Sequence, residues 1–480
     1  MNGCPRLRLE GFALRERSVD LRLPFRFGVV TVTRATQAVL SASITLSDGR
    51  SGTGFAAECL LPKWFDKNPA QTDDDNMDQL RLSLAIAFDL YRNAGEDTAF
   101  GLSAGLYREQ QARCAARGLN PLVASYGPAL VDRAILDALG RRLGLSFAAM
   151  IRGNLPGIDT GALTPDLAGF DLPTFLAGLS PAPTIAVRHT VGLVDALTAA
   201  DVTERRDDGL PETLEEVVRD YGCRYYKLKV GGDVAADLDR LSRIASILDA
   251  GAGDYLSTLD GNEQYEDVEG ITELWRRMGE TPALRRMVRS VLLIEQPIKR
   301  AVALDRPVAA LAAEKPLIID ESDGDIDAFP RAVALGYSGV SSKSCKGFYK
   351  SILNAARAAH LNAKPDRKAH HFLSAEDLCT WPGLCTQQDL ALVSLLGLTH
   401  VERNGHHYID GMSFAPEAEQ DAFLSAHPDL YHRPPGGPVR LRIRNGDLQI
   451  GSLDGPGFAA GVPVDVLLPA QGEQRAGSPA

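Results

Sequence analysis

The sequence lacks the patterns that mark membrane, secreted and nucleic-acid-binding proteins. No stretch reaches the roughly 18 consecutive apolar residues that suggest a membrane-spanning helix. The start contains no apolar core of the kind found in signal peptides. Basic residues are not in excess, since 51 Lys and Arg face 62 Asp and Glu and the net charge is −11. A general affinity for nucleic acid or anionic membranes is therefore not expected, and we predict a cytoplasmic protein.

Paired cysteines and recognised zinc motifs are absent as well. The seven cysteines are odd in number and form no CxxC pair, which favours reduced thiols over a disulfide framework or a zinc knuckle. The pairs His370-His371 and His406-His407 belong to no HExxH motif. Each pair is either a zinc site or a set of packed or solvated side chains, and the second interpretation is favoured.

Strand and helix patterns divide the chain. Its 480 residues, 45% of them apolar and 24% charged, are too many for one ordinary core. Residues 1–150 predict an α+β domain, and regular alternation of apolar runs with amphipathic helices predicts a second domain at 151–412. Residues 413–480 form a C-terminal segment that we expect to pack on the first domain, with its last residues, about ten, disordered.

The alternation in the second domain predicts parallel strands joined by helices. The ends of five successive apolar runs lie 31, 35, 25 and 23 residues apart, close to the average of roughly 31 residues per unit in an eight-fold barrel. An open doubly wound sheet is the alternative, but its glycine-rich dinucleotide turn is missing. We therefore predict an α/β fold with a TIM-like (β/α) barrel, whose eighth strand is weakly indicated at THVERN.

Charged residues end five consecutive strands of the predicted barrel. The ends of parallel barrel strands open on one mouth, where catalytic groups gather. A single charge after a strand is usually solvated or caps a helix, but five in succession favour a functional site. The five residues are Lys229, Asp260, Glu295, Asp320 and Lys343.

Three of these residues are carboxylates on adjacent strands, and we predict Asp260, Glu295 and Asp320 as metal ligands. They would repel one another without a cation between them, and hard oxygen ligands in this number suit Mg²⁺, with Mn²⁺ as a substitute. Glu321 competes with Asp320 for the third place, because sequence fixes the phase of a strand only to about one residue. Asn262 is expected to support the site by hydrogen bonding.

The stretch YYKLKVGG places Lys227 and Lys229 on one face of a strand, since side chains alternate between faces. A lysine accepts a proton only when it is neutral, and a second ammonium and a divalent ion nearby both lower its pKa. Such a base beside a metal suits removal of the hydrogen next to a carboxylate, which gives an enediolate that the metal stabilises. Lys229 is the predicted base, and Lys227 sets the field around it or holds the substrate carboxylate.

Five stretches resemble the enolase superfamily in order, spacing and residue type. They are YYKLKVGGD, LDGNEQY, LLIEQP, LIIDES and GVSSKSCKG. They resemble in particular the muconate lactonizing enzyme-like and dipeptide epimerase-like branch of the mandelate racemase/muconate lactonizing enzyme family. The resemblance covers most of residues 129–397. It implies a modified, enolase-type barrel behind an N-terminal capping domain.

The same resemblance implies roles for the site residues. Lys229 and Lys343 would act as acid/base groups on opposite faces of the substrate, and the three carboxylates would hold Mg²⁺. The eighth strand lacks the D-x-D that dipeptide epimerases use for a substrate amino group, which argues against a dipeptide substrate. Glu376 and Asp377 end the seventh strand, where they contact substrate or cap a helix.

Loops of the capping domain close over the mouth in this family. By position the candidates are residues 24–33 (PFRFGVVTVT) and 60–67 (LLPKWFDK). Trp64 and Phe65 between Lys63 and Lys67 form an apolar lid with a cationic handle, or else an ordinary surface loop.

The expected activity is racemisation or epimerisation by two lysines. A dehydratase of a hydroxy or sugar acid, or a cycloisomerase, would be a lyase using the same residues. A non-catalytic binding protein is the third reading, which the presence of all five charged residues disfavours. The expected partners are a small-molecule carboxylate and further copies of the same chain in a homo-oligomer, with no nucleic acid and no membrane.

Overall fold

The computed structural model describes residues 3–27, 30–161, 163–367, 369–378 and 380–467. Its N-terminal part is an antiparallel sheet packed against helices, with strand order β3-β2-β1-β4. The strands are β1 (Arg6–Phe27), β2 (Val30–Leu46), β3 (Ser51–Leu60) and β4 (Asp97–Thr98). The helices are α1 (Asp73–Asn93), α2 (Ala99–Ala115), α3 (Pro121–Leu143) and α4 (Phe147–Arg152).

Helix α3 lies directly on the sheet. Asn120 caps the start of the helix by accepting from Val123 N, and Pro121 suits the first helical position. Gly54 in β3 permits the close approach, because a Cβ there would lie 2.1 Å from the backbone nitrogen of Ala138.

The second part is a closed barrel of eight parallel strands, which confirms the predicted fold class. Strand β12 pairs with β5 and completes the ring, so the weak eighth strand at THVERN is present. The strands are β5 (Thr184–Val191), β6 (Tyr225–Lys229), β7 (Leu256–Asp260), β8 (Val291–Glu295), β9 (Leu317–Ile319), β10 (Gly339–Ser342), β11 (Phe372–Ala375) and β12 (His400–Arg403).

Helices precede, connect and follow the barrel strands. They are α5 (Leu172–Gly178), α6 (Leu214–Tyr221), α7 (Val234–Gly251), α8 (Val268–Glu280), α9 (Arg285–Ser290), α10 (Ala309–Glu314), α11 (Ala328–Ala334), α12 (Phe348–Asn362), α13 (Leu384–Leu395) and α14 (Gly405–Tyr408). Within the part of the chain that the structure describes, no helix combines the length and apolarity needed to cross a bilayer.

The C-terminal segment contacts both preceding parts. Its elements are α15 (Glu417–Ala426), β13 (Tyr431–His432), β14 (Arg440–Leu441), β15 (Asp447–Gln449) and α16 (Val464–Leu467). Strand β15 pairs antiparallel with β5 of the barrel. Glu419 of α15 forms a 2.8 Å ion pair with Arg17 of β1. The boundaries at residues 150 and 412 stay predictions, and the predicted disorder at the C-terminus falls outside the described residues.

The β1–β2 hairpin reaches from the capping domain to the barrel, and it corrects one expectation. Residues 24–33 were expected to be a loop, but the described ones end β1 and begin β2, with Phe25 opposite Val32. Backbone pairing between the two strands explains the difference. Arg22, 5% exposed, fastens the hairpin by pairing with Asp208 and donating to the His407 carbonyl at 3.0 Å.

Candidate active site

The carboxyl ends of the barrel strands surround one narrow cavity beneath the capping domain. Six of the residues predicted from sequence line it, namely Trp64, Lys227, Lys229, Asn262, Lys343 and Asp377. Strands β6 and β10 are the second and sixth of eight, so they stand on opposite sides of the barrel. Lys229 and Lys343 therefore face the same space from opposite walls.

Lys229 is held at its wall by two hydrogen bonds. Its Nζ donates to Asp260 Oδ2 at 2.5 Å and to Asn262 Oδ1 at 2.6 Å. The Asn262 backbone N–H donates in turn to Asp260 Oδ1, from a left-handed conformation with φ of 41°. Burial alone would raise the pKa of Asp260, but the ammonium groups of Lys227 and Lys229 outweigh it and lower that pKa.

Lys343 on the opposite wall is held by a carboxylate and an aromatic ring. Its Nζ lies 2.6 Å from Asp320 Oδ2 and 4.3 Å from the centre of the Trp64 ring. Burial opposes the charge on Lys343, yet Asp320 outweighs it and raises the lysine pKa. Asp320 also accepts from Ser341 and pairs with Lys346 at 3.3 Å.

Lys227 lies inside a cage of four buried carboxylates. Its Nζ is 2.7 to 2.9 Å from one oxygen each of Asp260, Glu295, Glu376 and Glu402. The Asp260 carboxylate bridges the two lysines of β6, because its Oδ2 contacts both ammonium groups. The like charges that the sequence places side by side are thus compensated by strands that are distant in sequence.

The chemistry of the predicted metal ligands fits Mg²⁺. Asp260, Glu295 and Asp320 present fully buried carboxylates on adjacent strand ends, and both oxygens of Glu295 lack a hydrogen-bond donor. As the described residues stand, no group of three or more His, Cys, Asp or Glu side chains is arranged to hold a metal ion. Lysine ammonium groups lie against all three carboxylates instead.

Glu321 faces a different neighbourhood from Asp320. Its Oε1 accepts from Asn262 Nδ2 at 3.2 Å and from Lys67 Nζ at 3.4 Å, and burial raises its pKa. Asp320 instead contacts Lys343, the proposed acid/base group. The choice between Asp320 and Glu321 as the third ligand stays a prediction.

The two carboxylates after β11 differ in access. Glu376 does not line the cavity; it accepts from Lys227 at 2.8 Å, from Ser374 at 2.5 Å and from Arg188. Asp377 lines the cavity, but its two oxygens accept from the backbone N–H groups of Thr380 and Asn404, both at 2.9 Å. Both acids thus hold neighbouring groups in place.

Sequence reasoning missed two residues that line the cavity, Glu402 in the eighth strand and Asn404 just after it. Glu402 accepts from Thr190 Oγ1 at 2.7 Å and from Lys227 at 2.9 Å. Asn404 Nδ2 donates to Glu402 at 3.2 Å, while its Oδ1 has no hydrogen-bond partner among the described residues. The rule that strand-end charges mark the mouth also applies to HVERN, so a signal for Glu402 was present.

An apolar roof closes the cavity from the capping domain. It consists of Phe25, Leu61 and Trp64, with Leu378 from the barrel. Trp64 and Phe65 are only 3% and 2% exposed, so this segment is a packed lid and not an ordinary surface loop. Of the two flanking lysines only Lys67 reaches the barrel, where its Nζ lies 2.6 Å from Glu263.

Lys63 has a local role instead. It donates to the carbonyls of Asn68 and Gln71 in its own loop. Arg300 holds the lid against the barrel. It donates hydrogen bonds to the carbonyls of Trp64 and Phe65 at 2.8 Å each and pairs with Glu263. The lid position therefore depends on a barrel residue that does not line the cavity.

Arg300→Ala is expected to accelerate amide hydrogen exchange in residues 61–67. The Trp64 and Phe65 carbonyls would lose charge-assisted hydrogen bonds, each worth about 1.5 kcal/mol or more, so exchange should rise at least about tenfold. Mass spectrometry measures this without a substrate. Arg306→Ala, which alters an exposed arginine nearby, is the control. Unchanged exchange in the lid would show that Arg300 does not hold it.

The histidine pairs lie away from the cavity lining. His406 and His407 are buried against His189, with His189 Nδ1 3.1 Å from His406 Nε2, and burial lowers the pKa of all three. The His370 ring stacks against Phe372 at the start of β11. The described residues thus place these side chains in packing contacts.

The fold and the mouth together define the class as a (β/α) barrel with an N-terminal capping domain. Three solved structures share this fold. A 2-chloromuconate cycloisomerase from Rhodococcus opacus 1CP is 16% identical over 96% of this chain and 98% of its own, with a TM-score of 0.58. A muconate lactonizing enzyme from Pseudomonas fluorescens, complexed with muconolactone, is 18% identical over 96% and 98%, with a TM-score of 0.56.

The third structure is a dipeptide epimerase from Enterococcus faecalis V583, complexed with Mg and the dipeptide L-Leu-L-Tyr. It is 14% identical over 94% of this chain and 99% of its own, with a TM-score of 0.57. No family model and no curated relative matches the sequence. The chain therefore shares the barrel-and-cap fold of these enzymes, and its activity is argued from its own residues.

Proposed function

We propose that this protein is a Mg²⁺-dependent isomerase of the enolase superfamily that racemises or epimerises the carbon next to a carboxylate. The observation that carries the proposal is the placement of Lys229 and Lys343 on opposite walls of one cavity. One lysine can remove the proton from the α-carbon, and the second can return a proton to the opposite face of the planar intermediate that forms. Inversion of configuration follows from that geometry.

The remaining cavity residues bind and orient the substrate. Lys227 borders the cavity beside Lys229 and supplies positive charge to the substrate carboxylate. Asp260, Glu295 and Asp320, with Glu321 as the alternative third ligand, would hold Mg²⁺ or Mn²⁺. The ion supplies stabilisation of negative charge that develops on the substrate carboxylate.

The roof and the eighth strand limit which substrates fit. Phe25, Leu61 and Trp64 exclude water, which strengthens every charge interaction beneath them. Asn404 is 2% exposed and borders the cavity. Its Oδ1 accepts no hydrogen bond from the described residues. It would accept a hydrogen bond from a hydroxyl or N–H group of the substrate.

A panel of chiral carboxylates incubated with Mg²⁺ in D₂O tests the proposal. We expect deuterium at the carbon next to the carboxylate together with loss of optical activity, read by NMR and polarimetry. Formation of a keto acid or a ring-opened product would instead identify a dehydratase or cycloisomerase. The Lys229→Met/Lys343→Met double variant is the negative control, and equal exchange in it would contradict the proposed site. A cytoplasmic location and a homo-oligomer stay predictions.

A further inference from the structure

The contacts of Lys227 fall into two kinds. Its Nζ donates hydrogen bonds to Glu376 Oε2 at 2.8 Å and to Glu402 Oε2 at 2.9 Å. Toward Asp260 and Glu295 it forms ion pairs of 2.9 and 2.7 Å that lack hydrogen-bond geometry, since both Glu295 oxygens have no donor. An ammonium has three hydrogens and cannot satisfy four carboxylates at once. Two carboxylates thus accept hydrogen bonds from Lys227, and two face it as ion pairs.

The division coincides with the expected metal site. Asp260 and Glu295, attracted by charge alone, are two of the three proposed Mg²⁺ ligands. Glu376 and Glu402, which accept the hydrogen bonds, are fixed by further donors, with Arg188 on Glu376 and Thr190 on Glu402. Glu295 accepts no such hydrogen bond from the described residues, so Lys227 is the cation that faces its carboxylate.

We propose that Lys227 is an internal cation that competes with the divalent ion for Asp260 and Glu295. An ammonium and a divalent ion within 3 Å of the same oxygens repel each other. When the ion binds, Glu376 and Glu402 retain the ammonium, which then lies toward the substrate carboxylate. Lys227 thereby lowers the affinity for metal and links metal binding to its own position. The inference rests on the proposed function only in taking Asp260 and Glu295 as ligands.

Removal of the lysine charge tests the competition. In Lys227→Met the cage loses its ammonium, and Glu295 is left without its ion-pair partner. We expect the metal-depleted Lys227→Met protein to bind Mn²⁺ at least about tenfold more tightly than the wild type does. Calorimetry and the electron paramagnetic resonance signal of Mn²⁺ measure the affinity. Addition of Mn²⁺ alone should also raise the Tm of the variant by more than that of the wild type.

Lys350→Met is the matched control. Lys350 is also buried, but it contacts Asp323 and none of the four carboxylates of the cage, so Mn²⁺ affinity should stay within about threefold of the wild type. Lys227→Gln is the second variant, because it keeps a hydrogen-bond donor without the charge. Variants that fold only when Mn²⁺ is present would support the competition.

Two results would overturn it. A folded Lys227→Met or Lys227→Gln protein with Mn²⁺ affinity equal to or weaker than the wild type would show that no competition exists. Failure of both variants to fold even with Mn²⁺ would show that a divalent ion does not replace the ammonium. Because no substrate is involved, tighter binding in a protein that exchanges no α-hydrogen would contradict only the proposed function.

Discussion

Replacing either Lys229 or Lys343 by methionine is expected to lower kcat by a factor on the order of 10² to 10⁴, the usual contribution of a positioned acid or base. Each lysine borders the cavity from its own wall, and no second lysine stands beside Lys343 in the lining. Methionine keeps an unbranched apolar stem of similar length, so packing beneath the roof is preserved. Initial rates on the substrate found in D₂O measure the effect.

Both variants are expected to stay folded, because neither leaves a buried carboxylate without a cation. Without Lys229, Asp260 still contacts Lys227 at 2.9 Å. Without Lys343, Asp320 still contacts Lys346 at 3.3 Å. The Tm and the circular dichroism spectrum check this. Wild-type turnover in either folded variant would contradict the assigned role of that lysine.

Replacing Arg133 by methionine is expected to destabilise the protein by about 3 to 5 kcal/mol, the cost of leaving a buried charge unpaired. Arg133 in α3 and Glu58 in β3 are both 0% exposed and form a 2.9 Å ion pair. Glu58 also accepts a 3.2 Å hydrogen bond from Ser344, the residue that follows Lys343 in the barrel. This pair joins the capping domain to the mouth of the barrel, and chemical denaturation measures the loss.

The double variant Glu58→Met/Arg133→Met is the control for that prediction. It removes the unpaired carboxylate together with its partner, and well-packed apolar replacements of a buried ion pair are often neutral. We expect it to recover most of the stability that Arg133→Met loses. A loss below about 1 kcal/mol in the single variant would show that solvent or another cation compensates Glu58.

Local patterns were enough to predict the barrel and its charged strand ends. Lys229, Asp260 and Glu295 each close an apolar run at the mouth, and the structure places each at the last residue of its strand. Asp320 and Lys343 follow their strands by one residue. Alternation of apolar runs and helices has a direct physical cause in the burial of both faces of a parallel sheet.

Sequence reasoning placed Glu376 at the mouth but could not predict its contact with Lys227, because that contact depends on ring closure. Glu376 and Glu402 come from the seventh and eighth strands, which the closed barrel brings to the strand that carries Lys227. The four-residue strand that ends at Arg403 is too short to show a clear period, so Glu402 was overlooked.

The most direct test of two lysines acting from opposite walls is α-hydrogen exchange in D₂O, measured separately on the two enantiomers of the substrate. Loss of one lysine removes proton transfer on one face and leaves it on the other. Lys229→Met should therefore still exchange one enantiomer without inverting it, and Lys343→Met should exchange only the opposite enantiomer. Exchange of the same enantiomer by both variants, or of both enantiomers by either one, would contradict the two-lysine site.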